Sequence, residues 1–297
     1  MIAAIVSAHA LVTPEEVWAS WTWDPIILAG LGVTGWLFGR GVRRLWRAGR
    51  GRGVGVRRAV TFYIGLAAVG IALLSPLDGL AETLFSAHMI QHLVLILVAA
   101  PLLIYGDPLP AMMLALPFRA RRTLRSAGRS VIGRATAFFA FPAAALLLHV
   151  GALWAWHFPV LYEAAITHEW IHAAEHVSFL ATALLFWSVV VPTGVRPRPG
   201  YGPRILFVFA NLLQSGALGA IILFSATVLY PLHALGAAAW GVTALEDQQL
   251  AGAIMWIPAG IVYFIAMAGL FLRWMREMDR RTDAADSAGR ELVHVDG

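Results

Sequence analysis

The sequence predicts an all-α integral membrane bundle of about seven spanning helices, with the N-terminus outside and the C-terminus inside. Three observations carry this. Hydrophobic residues make up 59% of the 297 residues and charged residues only 13%, against roughly 25% charged in soluble domains. Uncharged runs recur at lengths that can cross about 30 Å of hydrocarbon. The basic residues, all arginine, fall in every second connection between those runs.

The runs follow in order. Pro25–Gly39 is short, and Trp18, Trp21 and Trp23 before it form an interfacial belt. Ala59–Leu77, Thr83–Gly106, Ala135–Tyr162 and His176–Val195 supply the next four spans. Ile205–Leu245 is uncharged and too long for one helix. Ile205–Phe224 is read as the sixth span, and the rest, broken by Pro231 and Gly236, as an outer loop or interfacial segment. Gln248–Leu272 is the seventh. The chain then divides into an outer segment (1–24), one transmembrane domain (25–274) and a polar tail (275–297), whose composition predicts disorder.

Arginines occupy Arg40–Arg58, Arg119–Arg134, Arg196–Arg204 and Arg273–Arg290, which together hold all 22 basic residues. The positive-inside rule places these four segments in the cytoplasm of a bacterial inner-membrane, multi-pass protein. An eight-span alternative would put the arginines of the tail outside. The net charge of +5 therefore reflects topology, and no nucleic-acid surface is expected. Met1–Ala10 is apolar with a small-residue ending but lacks the basic start of a signal peptide. The absence of cysteine excludes disulfides, thiolate metal sites and thiol redox pairs.

With the topology fixed, nine of the ten histidines fall on the outer side, and only His294 lies in the cytoplasmic tail. His88 and His92 are spaced i,i+4 at the outer end of the third span and so share a face. His168, His172 and His176 repeat at the same interval entering the fifth. His149 sits inside the outer end of the fourth span, and His157 just beyond it. His88, His92, His157, His172 and His176 are the expected metal ligands, because neutral imidazole suits zinc, copper, iron and nickel and an unpaired polar ring in a membrane is costly. His9, His149, His168 and His233 are weaker candidates. Asp78, Glu82, Glu163, Glu169, Glu175, Glu246 and Asp247 lie at the same level and could orient imidazoles by accepting the free ring N–H; Glu246 and Asp247 equally suit a helix N-terminus. Met89 and Met255 could add thioethers favouring Cu(I), although such residues usually pack in a core. No Ser/His/Asp order, HExxH or phosphate loop points to an enzyme; the acidic residue of His172–His176 stands at position 175.

These stretches resemble the multi-span CtaG-like cytochrome c oxidase assembly factors, which are distinct from the single-span copper chaperones of that name. The resemblance runs from about Asp24 to Trp274. It rests on Ser75-Pro76-Leu77-Asp78, Ser86-Ala87-His88-Met89-Ile90-Gln91-His92, Ala100-Pro101-Leu102-Leu103, Trp156-His157-Phe158-Pro159 with Leu161-Tyr162, His172-Ala173-Ala174-Glu175-His176 with Phe186-Trp187, and Glu246-Asp247-Gln248-Gln249-Leu250-Ala251-Gly252 before Met255-Trp256. It implies a non-catalytic role in maturing a haem–copper oxidase, with copper taken from a periplasmic donor and passed to an oxidase subunit. In that reading His88, His92, His172 and His176 bind copper, His157 gates or completes the site, and Asp78 and Asp247 stand behind it. Zinc fits the same imidazoles. The rival readings are a membrane electron-transfer protein with one b-type haem on two of these histidines, and a copper importer, which would need polar groups continuing to the inner face beyond Asn211, Gln214 and Ser215.

Overall fold

The computed structural model of the chain describes residues 12–47, 49–127, 141–191 and 199–295. Among these residues every regular element is helical. Among the described residues six helices are long and apolar enough to span a membrane, and a bent pair supplies a seventh crossing if counted as one span. The elements are α1 (Pro25–Trp46), α2 (Val56–Leu74), α3 (Pro76–Thr83), α4 (Phe85–Tyr105), α5 (Pro108–Ala115), α6 (Phe118–Ala127), α7 (Pro142–Trp156), α8 (Pro159–Thr167), α9 (Glu169–Val190), α10 (Tyr201–Leu223), α11 (Ala234–Ala239) and α12 (Ala244–Val295).

The starts of these helices are written locally. Asp24 caps α1, its carboxylate accepting from the N–H groups of Ile26 and Ile27. Ser75 caps α3, and Pro76 takes the first-turn position where a missing N–H costs nothing. The first span runs on to Trp46, beyond the expected Gly39, and arginines at its C-terminal end are held by a neighbouring helix. Arg40 and Arg44 donate to the carbonyls of Ala115 and Leu114 at the end of α5. The fifth helix begins at Glu169 rather than His176, so His172 and His176 are both helical.

The fourth crossing differs most from the uninterrupted Ala135–Tyr162 helix. Its described part, α7, ends at Trp156, and the chain bends by 75° into α8. Pro159 disfavours helical geometry at Phe158, which is extended at φ −68 and ψ 128. Residues 135–140 lie outside the described residues, as do Met1–Ala10, His9, Arg129, Arg134, Arg196 and Arg198. In the expected outer segment after α10, Pro231–His233 forms a 3-10 turn leading into α11. The tail, expected to be disordered, continues as helix to Val295. An i,i+4 pair, Glu277–Arg281 at 3.0 Å, supports it.

Two apolar clusters hold the bundle. One joins α4, α7, α9, α10 and α12 around Phe179, Phe186, Trp187, Phe207 and Tyr263. The other joins α1, α2 and α4 around Phe38, Phe62 and Leu95. Helices α10 and α12 cross in near backbone contact: a Cβ at Gly219 would lie 3.1 Å from the Gly252 carbonyl oxygen, the small-residue packing common between membrane helices. An apolar cavity of about 570 Å³ lies between α1, α2 and α9, lined by Leu31, Leu66, Leu73, Leu184 and Ser188, and no histidine lines it.

Candidate metal centre

The histidine-bearing segments are the first turns of α4 and α9, both of which follow arginine-free connections. Three devices fix α4 there. Asp247, buried on α12, accepts from the N–H of Phe85 at 2.7 Å, the N–H of Ser86 at 3.1 Å and the Ser86 hydroxyl. It thus caps α4 from another helix, occupying donors that α4 has no local side chain to satisfy. Gln91 donates to the Ala72 carbonyl at 2.9 Å and to Asp78 at 2.7 Å, and Asp78 also accepts from Thr22 at 2.8 Å. Below His92 the helix loosens into a π-helical stretch, Val94–Ala99. Pro101 has no N–H to offer Ile96, the carbonyl five residues earlier in the π-helical pattern, and that carbonyl accepts from the Trp187 indole at 2.8 Å instead.

On this scaffold the imidazoles converge. Ring centroids lie 4.3 Å apart for His88–His92 and for His172–His176, and 5.4 Å apart for His88–His172 and for His92–His176. Single donor atoms of His88, His172 and His176 lie within 4.8 Å of one another, and so do those of His88, His92 and Glu175. His88 belongs to both sets. The His88 Nδ1–H donates to the Ala81 carbonyl at 3.3 Å, which leaves its Nε2 lone pair facing the cluster.

Glu175 is the charged member. It is 1% exposed, and its two oxygens lie 3.7 Å from His88 Nε2 and 3.6 Å from His92 Nε2. These separations exceed hydrogen-bond length. Both carboxylate oxygens, His88 Nε2, His92 Nε2 and His176 Nε2 are buried without a hydrogen-bond partner. An unpaired buried carboxylate costs on the order of several kcal/mol. Two donors bound at about 2.0–2.2 Å to a tetrahedral ion would stand roughly 3.3–3.6 Å apart. The donor set and its spacing therefore fit a borderline divalent or monovalent metal ion.

The remaining expected residues separate. His157 closes α7 beside the cluster, its Nε2 3.4 Å from Met89 Sδ. His149 is fully buried deeper in the bundle, where its Nδ1 meets the Thr182 hydroxyl at 3.2 Å. His168 is exposed and bonded to Thr167 at 2.9 Å. Asp78 and Asp247 act on Gln91 and on the backbone of α4 rather than on ring nitrogens, and Met255 packs in the apolar core. Sequence reasoning ranked Glu175 low and His233 lower. His233 bonds Tyr162 Oη through Nε2 at 2.6 Å, and Tyr162 packs 5.3 Å from the His88 ring. No periodic spacing marks His233, because it stands in a 3-10 turn between spans.

Fold and site together define a polytopic membrane protein with a buried imidazole–carboxylate cluster at its arginine-free end. The family described as cytochrome c oxidase caa3 assembly factor matches residues 36–277, and the chain belongs to it. Among curated proteins it is similar to an uncharacterised protein of Mycobacterium bovis and one of Mycobacterium tuberculosis, each 28% identical over 96% of this chain and 43% of the relative. A Mycobacterium leprae protein is 25% identical over 93% of this chain and 42% of its own length. The chain thus spans less than half the length of these curated relatives. No solved structure matches it.

Proposed function

We propose that this chain carries copper at the outer face of a bacterial inner membrane and hands it to a subunit of a haem–copper cytochrome c oxidase during assembly. One observation carries the reading: four imidazoles and one carboxylate from two helices converge, and in this buried site His88 Nε2, His92 Nε2, His176 Nε2 and both Glu175 oxygens lack a hydrogen-bond partner. The family supplies the oxidase, and the imidazoles supply the affinity. A five-donor cluster suits a bare ion better than a haem iron, which takes two axial ligands. His172 is half-buried, giving the site an outer edge through which an ion exchanges with a periplasmic donor.

The bound ion would supply only its charge and its affinity for the acceptor. The protein supplies deprotonated donors, orientation through Ala81, Gln91 and Asp247, and exclusion of water by Phe179 and Tyr162. The test is complementation of a strain lacking the chain. His88→Ala plus His92→Ala is expected to insert normally yet leave the oxidase short of copper, with partial rescue by copper added to the medium. Full oxidase copper content in that strain would contradict the reading.

A further inference from the structure

Beside the cluster, His157 and Met89 make a contact that ordinary hydrogen bonding does not explain. His157 Nδ1 lies 2.7 Å from the Leu153 carbonyl oxygen. A carbonyl only accepts, so the ring proton belongs on Nδ1. A neutral imidazole has one N–H, and Nε2 therefore presents a lone pair. That lone pair faces the Met89 thioether at 3.4 Å, and a thioether also has only lone pairs to offer. Moving the proton to Nε2 transfers the conflict to the 2.7 Å contact with Leu153. Both side chains are buried, Met89 at 1% and His157 at 6% exposed.

The contact is held in place from several sides. Tyr230 donates its hydroxyl to the His157 carbonyl at 2.7 Å. The turn that ends α7 is set by Pro159. Met89 stands between His88 and His92 on the anchored first turns of α4. The pair is built on two crossings and does not come from one flexible loop.

With the ring proton on Nδ1, a cation between the two lone pairs resolves the conflict. The donors are uncharged, one nitrogen and one thioether sulfur, and thioethers select soft cations such as Cu(I) over zinc. At bonds of about 2.0 Å to nitrogen and somewhat longer ones to sulfur, donors 3.4 Å apart subtend a bent angle. That leaves room for a third donor from the neighbouring cluster or from a partner. We propose that His157 Nε2 and Met89 Sδ form a soft-cation station for Cu(I), distinct in its donors from the imidazole–carboxylate cluster. The station selects the monovalent soft ion, whereas the cluster of His88, His92, His172, His176 and Glu175 accepts divalent ions as well. The proposal rests on the copper-carrier reading for its biological direction, but not for its donors.

The test is X-ray absorption at the copper edge on the detergent-purified full chain, loaded anaerobically with one equivalent of Cu(I). A copper–sulfur path is expected in the wild type and its loss in Met89→Leu. Cu(I) affinity against a chromophoric Cu(I) chelator should fall at least about tenfold, while Zn(II) affinity stays within about twofold. Leucine matches the methionine volume, so the fold is expected to hold, and an unchanged melting curve verifies it. Copper bound through nitrogen and oxygen alone overturns the station and leaves the carrier reading standing. Failure to bind copper at all overturns both. Sulfur scattering that persists in Met89→Leu assigns the ligand to another methionine and overturns the proposal. Nitrogen-15 shifts showing both nitrogens of His157 protonated in the metal-free chain would do the same, because an N–H···S bond then explains the contact.

Discussion

Asp247 shows how much of the site is held by residues that never touch its centre. Its carboxylate satisfies three donors at the start of α4, and hydrogen bonds to charged groups are worth about 1.5–3 kcal/mol each. Asp247→Ala is expected to destabilise the chain by about 2–4 kcal/mol, leaving buried N–H groups unpaired, and to weaken metal binding by letting His88 and His92 shift. Thermal unfolding in detergent beside a metal titration checks both. Asp78, outside the spans, behaves differently with pH. Burial raises its pKa above the usual 3.8, against the lowering effect of the Thr22 and Gln91 hydrogen bonds. A carboxyl raised on folding holds its proton more tightly in the folded state. Its charge then lowers stability as pH climbs from the unfolded value through the folded one, and the penalty disappears as pH falls back. Asp78→Asn keeps an acceptor oxygen and removes the charge. It is expected to flatten stability as pH rises from about 4, as pH-dependent melting curves would show; an unchanged slope would contradict the assignment.

At the scale of elements, the two periodicities that matter are the i,i+4 pairs His88/His92 and His172/His176. A sequence places each pair on one face of its helix, and the structure turns both faces toward each other. Such spacing cannot reveal which rotation each helix adopts. That is set by the Asp247 cap, the Gln91 contacts and the π-helical loosening before Pro101, all long-range or geometric effects. The break at Phe158–Pro159 was legible as a proline but was read as lying inside a span. The competing factor is the apolarity of the whole stretch, which hides a bend from hydropathy. The same blindness affects Glu175. Its charge reads as interfacial, yet the helix begins at Glu169 and carries it inside. The α10–α12 crossing gives a direct test of element packing. Gly252→Val places a side chain against the backbone of Leu223 and Gly219, and overpacking of this kind costs typically about 1–3 kcal/mol. A lowered melting temperature with copper stoichiometry retained below the transition is expected. Unchanged stability would mean the helices are not in close contact.

For the whole molecule, membrane class and helix count follow from composition and from arginine placement. The end of the bundle that holds the site follows as well, because only one end lacks arginine. What composition could not supply is the engagement of each buried polar group. His149 and His157 look alike in sequence, yet one meets a threonine and the other a thioether. On the proposed function the imidazole–carboxylate cluster binds a metal ion, and copper is its cargo. The most direct measurement is copper content and affinity of the purified full chain at pH 7.5, set beside His88→Ala plus His92→Ala and beside Glu175→Gln, all with matched circular dichroism. Tightly bound copper is expected in the wild type. A loss of at least about 100-fold in affinity is expected in the double variant and a smaller loss in Glu175→Gln. Copper binding unchanged in the double variant, or absent from the folded wild type, would contradict the proposed function.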